Sequence, residues 1–263
     1  MTMPVRDRRR GAVRVPRRPS VLGIAGELLV TAGVVVLLYV GWQQWVGDAV
    51  IGARQRAAAA ELSAQWAARA DDPGVAAGTT PSTEVSPAST ADAAAEPVVR
   101  PEAGDAEVFA SMHVPRFGAD YVVPIAGGVS RARTLDPIGI GHYPGTAMPG
   151  AVGNVALAGH RGGNGAPFHR IAELRLGDAI VIETQDGWYT YRFRTLEYVA
   201  PTAVEVLLPV PQRPGADATG RYLTLTSCSP IDGSAERIVA YGVFEAFTPR
   251  SGGPPAALVE GVS

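Results

Sequence analysis

The chain has 263 residues, a net charge of −2 and a single cysteine, Cys228, so no intramolecular disulfide framework is available to it. Charge is unevenly spread: the first nineteen residues carry seven arginines against one acid, Asp7, which leaves about −8 on the remainder and excludes nucleic-acid binding by charge. All 23 basic residues are arginine, so no lysine can act as a base or form a Schiff base.

Residues 1–20 read as a basic leader. A largely apolar run follows over 21–46, with Glu27 its one charge and Trp42 and Trp45 at its far end. A membrane helix needs about 20 apolar residues, and tryptophans favour the membrane interface. The run exceeds the 7–15 apolar residues of a signal peptide, which favours a retained anchor over a cleaved leader. The arginines before it predict a cytoplasmic N-terminus and a translocated body. The expectation is a single-pass protein of the cell membrane with its folded domain outside the cytoplasm.

Residues 47–70 are alanine-rich and predict a helix leaving the membrane or lying beside it. Residues 71–106 scatter Pro73, Pro81, Pro87, Pro97 and Pro101 among small and polar residues. Such a composition cannot bury enough apolar surface to fold, so 47–106 reads as a helical and low-complexity stalk. About 36 residues of coil reach ~30 Å.

Residues 107–248 form the expected folded domain, of about 140 residues. The pattern is mainly β. Strands are predicted over 108–114, 121–125, 154–158, 179–183, 188–199, 222–227 and 237–247, with one short helix over 168–174. The longest alternates cleanly: Trp188, Thr190, Arg192 and Arg194 face one way, and Tyr189, Tyr191, Phe193 and Thr195 the other. Short strands between Gly and Pro favour a closed β-barrel of about eight strands with short helices. Residues 249–263 read as a disordered tail.

Cys228 ends an alternating run, Arg221 to Thr226, and precedes Ser229-Pro230. Outside the cytoplasm an unpaired cysteine is either incidental or reactive. Covalent catalysis by a thiol needs a proton carrier and a group that stabilises an oxyanion. Of the four histidines, His160 closes an apolar strand and opens a glycine-rich loop. Arg237 starts the last strand nine residues after Cys228, so a strand, a loop and a returning strand set the two side by side. A guanidinium stays charged and offers several donors. Singly each feature has a plainer reading: a small buried thiol, a loop histidine, a solvated arginine. No two histidines stand at i, i+4 and acids do not cluster, so neither a metal nor another cofactor is expected.

The segment Thr224-Leu225-Thr226-Ser227-Cys228-Ser229-Pro230 resembles the TLxTC signature of sortases. Leu157-Ala158-Gly159-His160-Arg161 is similar to the sortase histidine segment, and Arg237-Ile238-Val239 to its arginine segment. The run His142 to Gly150 most resembles class E sortases of actinobacteria. Ser227 departs from the usual threonine but keeps the hydroxyl.

The resemblance spans 107–248 and implies a sortase-like barrel. It implies a cysteine transpeptidase that cleaves an LAxTG- or LPxTG-like sorting signal after threonine. The acyl group would pass to an amine of a lipid II-like cell-wall precursor. Cys228 would be the nucleophile, His160 the proton carrier and Arg237 the oxyanion and backbone donor. Tyr143, Thr226 and Ser227 would face the substrate. The other readings are an L,D-transpeptidase or papain-like peptidoglycan hydrolase, and a non-catalytic tethered β domain. The first has a compact Ser-His-Gly-Cys-x-Arg motif, whereas 68 residues separate His160 from Cys228 here. The second usually places cysteine before histidine.

Overall fold

The computed structural model describes residues 20–42, 47–70 and 95–259. Residues 1–19 of the basic leader, Trp45, residues 71–94 of the expected stalk and the last four residues lie outside these. The chain divides into two compact units, Met1–Gln43 and Gln44–Ser263.

The first unit holds α1, Val21–Gly41, 21 residues long with no buried side chain. At 1.5 Å per residue it measures about 32 Å, close to the thickness of a bilayer's hydrocarbon core. By length and composition it suffices to cross a membrane. Ser20 caps it, its Oγ accepting from Gly23 N at 3.0 Å.

The second unit is an eight-stranded closed barrel preceded by α2, Gly47–Ala70. The strands are β1 Val108–His113, β2 Val122–Gly127, β3 Ile140–His142, β4 Gly153–Gly159, β5 Ala179–Glu183, β6 Gly187–Val199, β7 Arg221–Ser229 and β8 Glu236–Pro249. They close in the order β1-β2-β3-β4-β7-β8-β6-β5. Closure pairs every strand on both sides and leaves no exposed edge.

The expected mainly β barrel is therefore present, and seven strands match the sequence pattern. The eighth, β3, is three residues long and includes Gly141. It carries too few side chains for any alternation to show. The helix expected over 168–174 is only a 3-10 turn, Ile171–Glu173.

Alternation sorts each strand's side chains between the barrel interior and its outer face. Tyr189, Tyr191 and Phe193 of β6 point inward and join Met112, Ile125, Ile140, Leu157, Ile180, Leu223 and Leu225 in one core. Trp188 points outward, yet it is 5 % exposed. Ala257 and Leu258 cover it together with Ala179 and Val181. The region beyond 249 thus forms short turns, Arg250–Gly252 and Ala256–Leu258, against the barrel up to residue 259. Its Gly/Pro-rich composition hid this, because only two side chains, Ala257 and Leu258, join that cluster.

Two parts of the expected stalk also lie on the barrel. Residues 95–106 run along it. Tyr189 donates its hydroxyl to Val98 O at 2.5 Å. Arg100 makes a two-point contact with Asp186, and Asp105 forms a parallel bridge to Gly127. Helix α2 buries Gly52, Gln55, Ala59 and Trp66, one stripe at helical spacing. Small residues in that stripe bring the helix close, and Trp66 and Gln55 anchor it.

Glu183 is the polar anchor of α2. It accepts from Ser63 Oγ at 2.7 Å and Arg250 Nη2 at 3.0 Å, and its Oε2 lies 2.8 Å from His113 Nε2. Arg250 also stacks over Trp188 and Trp66. Burial opposes ionisation of Glu183, but bonds from His113, Ser63 and Arg250 outweigh it and hold its carboxyl below the usual range. A carboxyl depressed by folding stabilises above its unfolded value, and that contribution is lost as pH falls through the folded one. Amides of α2 are therefore expected to lose hydrogen-exchange protection as pH drops below about 4.5. Protection unchanged there would show that Glu183 does not hold the helix.

Candidate active site

The chemistry-bearing residues come from the ends of three neighbouring strands. In β7, Leu223 and Leu225 point into the core, so Thr224, Thr226 and Cys228 alternate onto the outer face. In β8, Ile238 and Ala240 point inward, which sends Arg237 outward. The antiparallel register pairs Cys228 directly with Arg237. Their Cβ atoms therefore stand about 5 Å apart.

On the other side β4 runs parallel to β7, with Ala158 opposite Thr226. The pairing ends at Ala158–Thr226 and β4 at Gly159. Continuing that register two residues, past the end of the strand, aims His160 at the Cys228 side of β7, where neighbouring strands lie ~5 Å apart. His160, Cys228 and Arg237 thus stand in a row across β4, β7 and β8. Cys228 is half-buried, and the His160 side chain is 12 % exposed.

The end of β4 is fixed by close packing. A Cβ on Gly159 would come within 2.8 Å of the Phe168 ring, so only glycine fits there. Phe168 N donates to His160 O at 2.9 Å. The loop after His160 is braced by α2. Asp48 accepts from the backbone N–H groups of Gly163 and Gly165 at 3.0 and 3.3 Å, and Gln55 Nε2 donates to Asn164 O at 3.2 Å. Gly165, at φ +81°, lies so close to Gln55 that a Cβ would meet its Oε1 at 2.6 Å.

His160 has a partner that no motif suggested. Its Nε2 lies 2.7 Å from Oδ1 of Asp136. Asp136 follows a single π-helical turn, Arg131–Leu135. The sequence carried no usable signal for it, since an aspartate before Pro137 reads as ordinary turn chemistry.

The other histidines are engaged elsewhere. His113 sits at Glu183 beneath α2. His169 Nδ1 is 3.2 Å from Arg161 O. His142 is fully buried, with Nε2 2.9 Å from Ala147 O. Burial holds its imidazole below the usual range despite that bond.

Arg237 donates from Nη1 to Ser234 O at 3.1 Å and Glu236 O at 3.0 Å. Its Nε and Nη2 have no bond to another described residue. Tyr143 Oη lies 3.0 Å from Thr226 Oγ1, and Thr226 Oγ1 donates to Leu157 O at 3.3 Å. Thr226 has only one hydroxyl hydrogen, so Tyr143 is the donor of that pair.

Ser227 Oγ donates to Gly159 O at 2.7 Å. Both hydroxyls are almost fully buried. Thr226 and Ser227 therefore tie β7 to β4: Thr226 stands on the same pleat as Cys228, but both hydroxyl hydrogens are given to backbone carbonyls of β4 and not to a substrate as the sequence reading expected. The Ser227 bond grips the residue that precedes His160, so its effect is to align the row. Tyr143 is half-buried beside it.

Taken together, the row offers a thiol flanked by an imidazole and a guanidinium at a barrel rim, which suits acyl transfer through a covalent thioester. Comparison with known proteins identifies the family. The sortase domain family matches residues 112–245. Sortase SrtE1 of Streptomyces coelicolor is 37% identical over 262 residues, covering 97% of this chain and 66% of that protein, so this chain spans just under two thirds of its length. Sortase SrtE2 of the same organism is 31% identical over 86% of this chain and 85% of its own.

Among solved structures, sortase E1 from S. coelicolor, with a tripeptide in its active site, shares 42% identity at a TM-score of 0.55, covering 60% of this chain and all of that one. The SrtA sortase of Actinomyces oris shares 35% identity at 0.59, covering 64% and 96%. Barrel, signature segments and relatives converge, and the chain belongs to the sortase family.

Proposed function

We propose that this chain is a membrane-anchored cysteine transpeptidase of the class E type, held by α1 with its barrel outside the cytoplasm. The observation that carries the reading is the row His160–Cys228–Arg237, set by the registers of β4, β7 and β8. The substrate class is a protein ending in an LAxTG- or LPxTG-like sorting signal. The acceptor is an amine of a cell-wall precursor of the lipid II type.

Cys228 Sγ, as thiolate, attacks the carbonyl carbon of the threonine. The carbonyl π electrons move to oxygen, and Arg237 donates to the resulting oxyanion. The oxyanion collapses and the C–N bond to glycine breaks. His160, holding the proton taken from the thiol, gives it to the departing amine. A thioester to Cys228 remains. The incoming amine attacks that carbonyl, His160 takes its proton, and the thiolate leaves as the new amide forms. Every step uses a group in the row. The fixed row supplies the orientation that lowers the barrier.

The test is to incubate the protein with a sorting peptide and no acceptor, quench in acid and weigh it. An adduct on Cys228 equal to the peptide acyl group ending at threonine supports the reading. Cleavage without any such adduct excludes a thioester through Cys228.

Arg237→Lys tests the third role. An ammonium keeps the charge but not the planar fork of donors. Turnover is expected to fall on the order of 10²-fold, as when one oxyanion donor is removed. Near-normal turnover in a steady-state assay would reduce Arg237 to a diffuse field.

A further inference from the structure

We propose that Asp136 is the positioning residue of His160: it fixes the ring in one tautomer and leaves Nδ1 as the nitrogen that exchanges protons. This rests on His160 being the proton carrier. Asp136 Oδ1 lies 2.7 Å from His160 Nε2. A carboxylate has no proton to give, so Nε2 must carry it. The neutral ring is thereby the Nε2–H form, and its only lone pair for a thiol or amine proton is on Nδ1. Once Nδ1 has taken a proton, the bond at Nε2 becomes charge-assisted and strengthens.

Asp136 is itself held. Asn164 Nδ2 donates to the same Oδ1 at 3.3 Å, and Arg131 Nε stands 3.7 Å away. Arg131 is 74% exposed, so that pair is screened and adds little. Asn164 matters more, because it belongs to the loop that α2 grips through Asp48 and Gln55. The main chain of Asp136 is tied as well, its N donating to Arg131 O at 2.8 Å. Carboxylate and imidazole thus sit on two separately anchored segments. Their bond sets the ring's rotation about its Cβ, which neither backbone alone would do.

The test reads the ring directly. Imidazole nitrogen shifts are recorded by NMR on the ¹⁵N-labelled protein, alongside steady-state kinetics on a sorting peptide. For the unaltered protein a single Nε2–H tautomer is expected. In Asp136→Ala the His160 ring should distribute between tautomers, and kcat should fall on the order of 10²-fold with KM little changed, the effect of misplacing a reacting group. Asp136→Asn still offers an oxygen acceptor, so it should keep the tautomer and recover part of kcat.

An unchanged tautomer in Asp136→Ala, or an unchanged kcat, overturns the proposal. If Asp136→Ala does not fold, Asp136→Asn decides alone: a mixed tautomer at normal kcat overturns it. The ring spectrum is independent of the role given to His160. That role fails separately, if His160→Ala retains turnover.

Discussion

Cys228→Ala is expected to abolish both cleavage of a sorting peptide and transfer of its acyl group to an amine. The chain has one cysteine, so no other thiol can form the thioester. Nor can the adjacent hydroxyls replace it. Ser227 is buried and its Oγ donates to Gly159 O, and Ser229 lies on the opposite pleat from the row. The substitution should leave the fold intact, since it removes one atom from a half-buried position outside the hydrophobic core. Thermal unfolding of the variant should overlay that of the parent while product formation falls to background. Measurable turnover by a correctly folded Cys228→Ala protein would remove Cys228 from the mechanism.

His160→Ala should be nearly as damaging, with a loss on the order of 10²–10⁴-fold, the range for removing a positioned general acid or base. Three steps need the ring: proton removal from the thiol, proton delivery to the departing amine and proton removal from the incoming one. The other histidines are too committed to substitute. His142 is buried and bonded to Ala147 O, and His113 is held at Glu183. A quenched-flow assay should show both slower thioester formation and less thioester accumulated. A loss below about tenfold would mean that water or another group carries the proton. Asp136 would keep Asn164 in that variant, so collapse of the loop is not the expected cause.

Much of this site is legible in the order of residues because its parts are local. Leu223, Leu225 and the threonines between them alternate visibly, so the pleat on which Cys228 sits follows from period two. The same holds for Tyr189, Tyr191 and Phe193 in β6. The nine-residue return from Cys228 to Arg237 is short enough to imply a hairpin, and the structure pairs them directly. Thr226 and Ser227 show where this logic stops. A hydroxyl next to a nucleophile looks available to substrate, but its partner is a backbone carbonyl of β4, 69 and 68 residues away in the chain.

The sequence by itself determined the apolar run long enough to span a bilayer, the mainly β character of the domain, and the lone thiol with its candidate partners. Each depends on composition or on a period within one segment. The tertiary structure alone decided that β4 lies parallel to β7 and brings His160 to Cys228, that Asp136 takes the outer nitrogen of that histidine, and that α2 and the residues beyond 249 pack on the barrel. These contacts join segments dozens of residues apart through a few backbone bonds, a small stripe or one carboxylate. Nothing in the local pattern marks them. Closing such loops costs chain entropy that only the completed barrel, with its shared core, can offset.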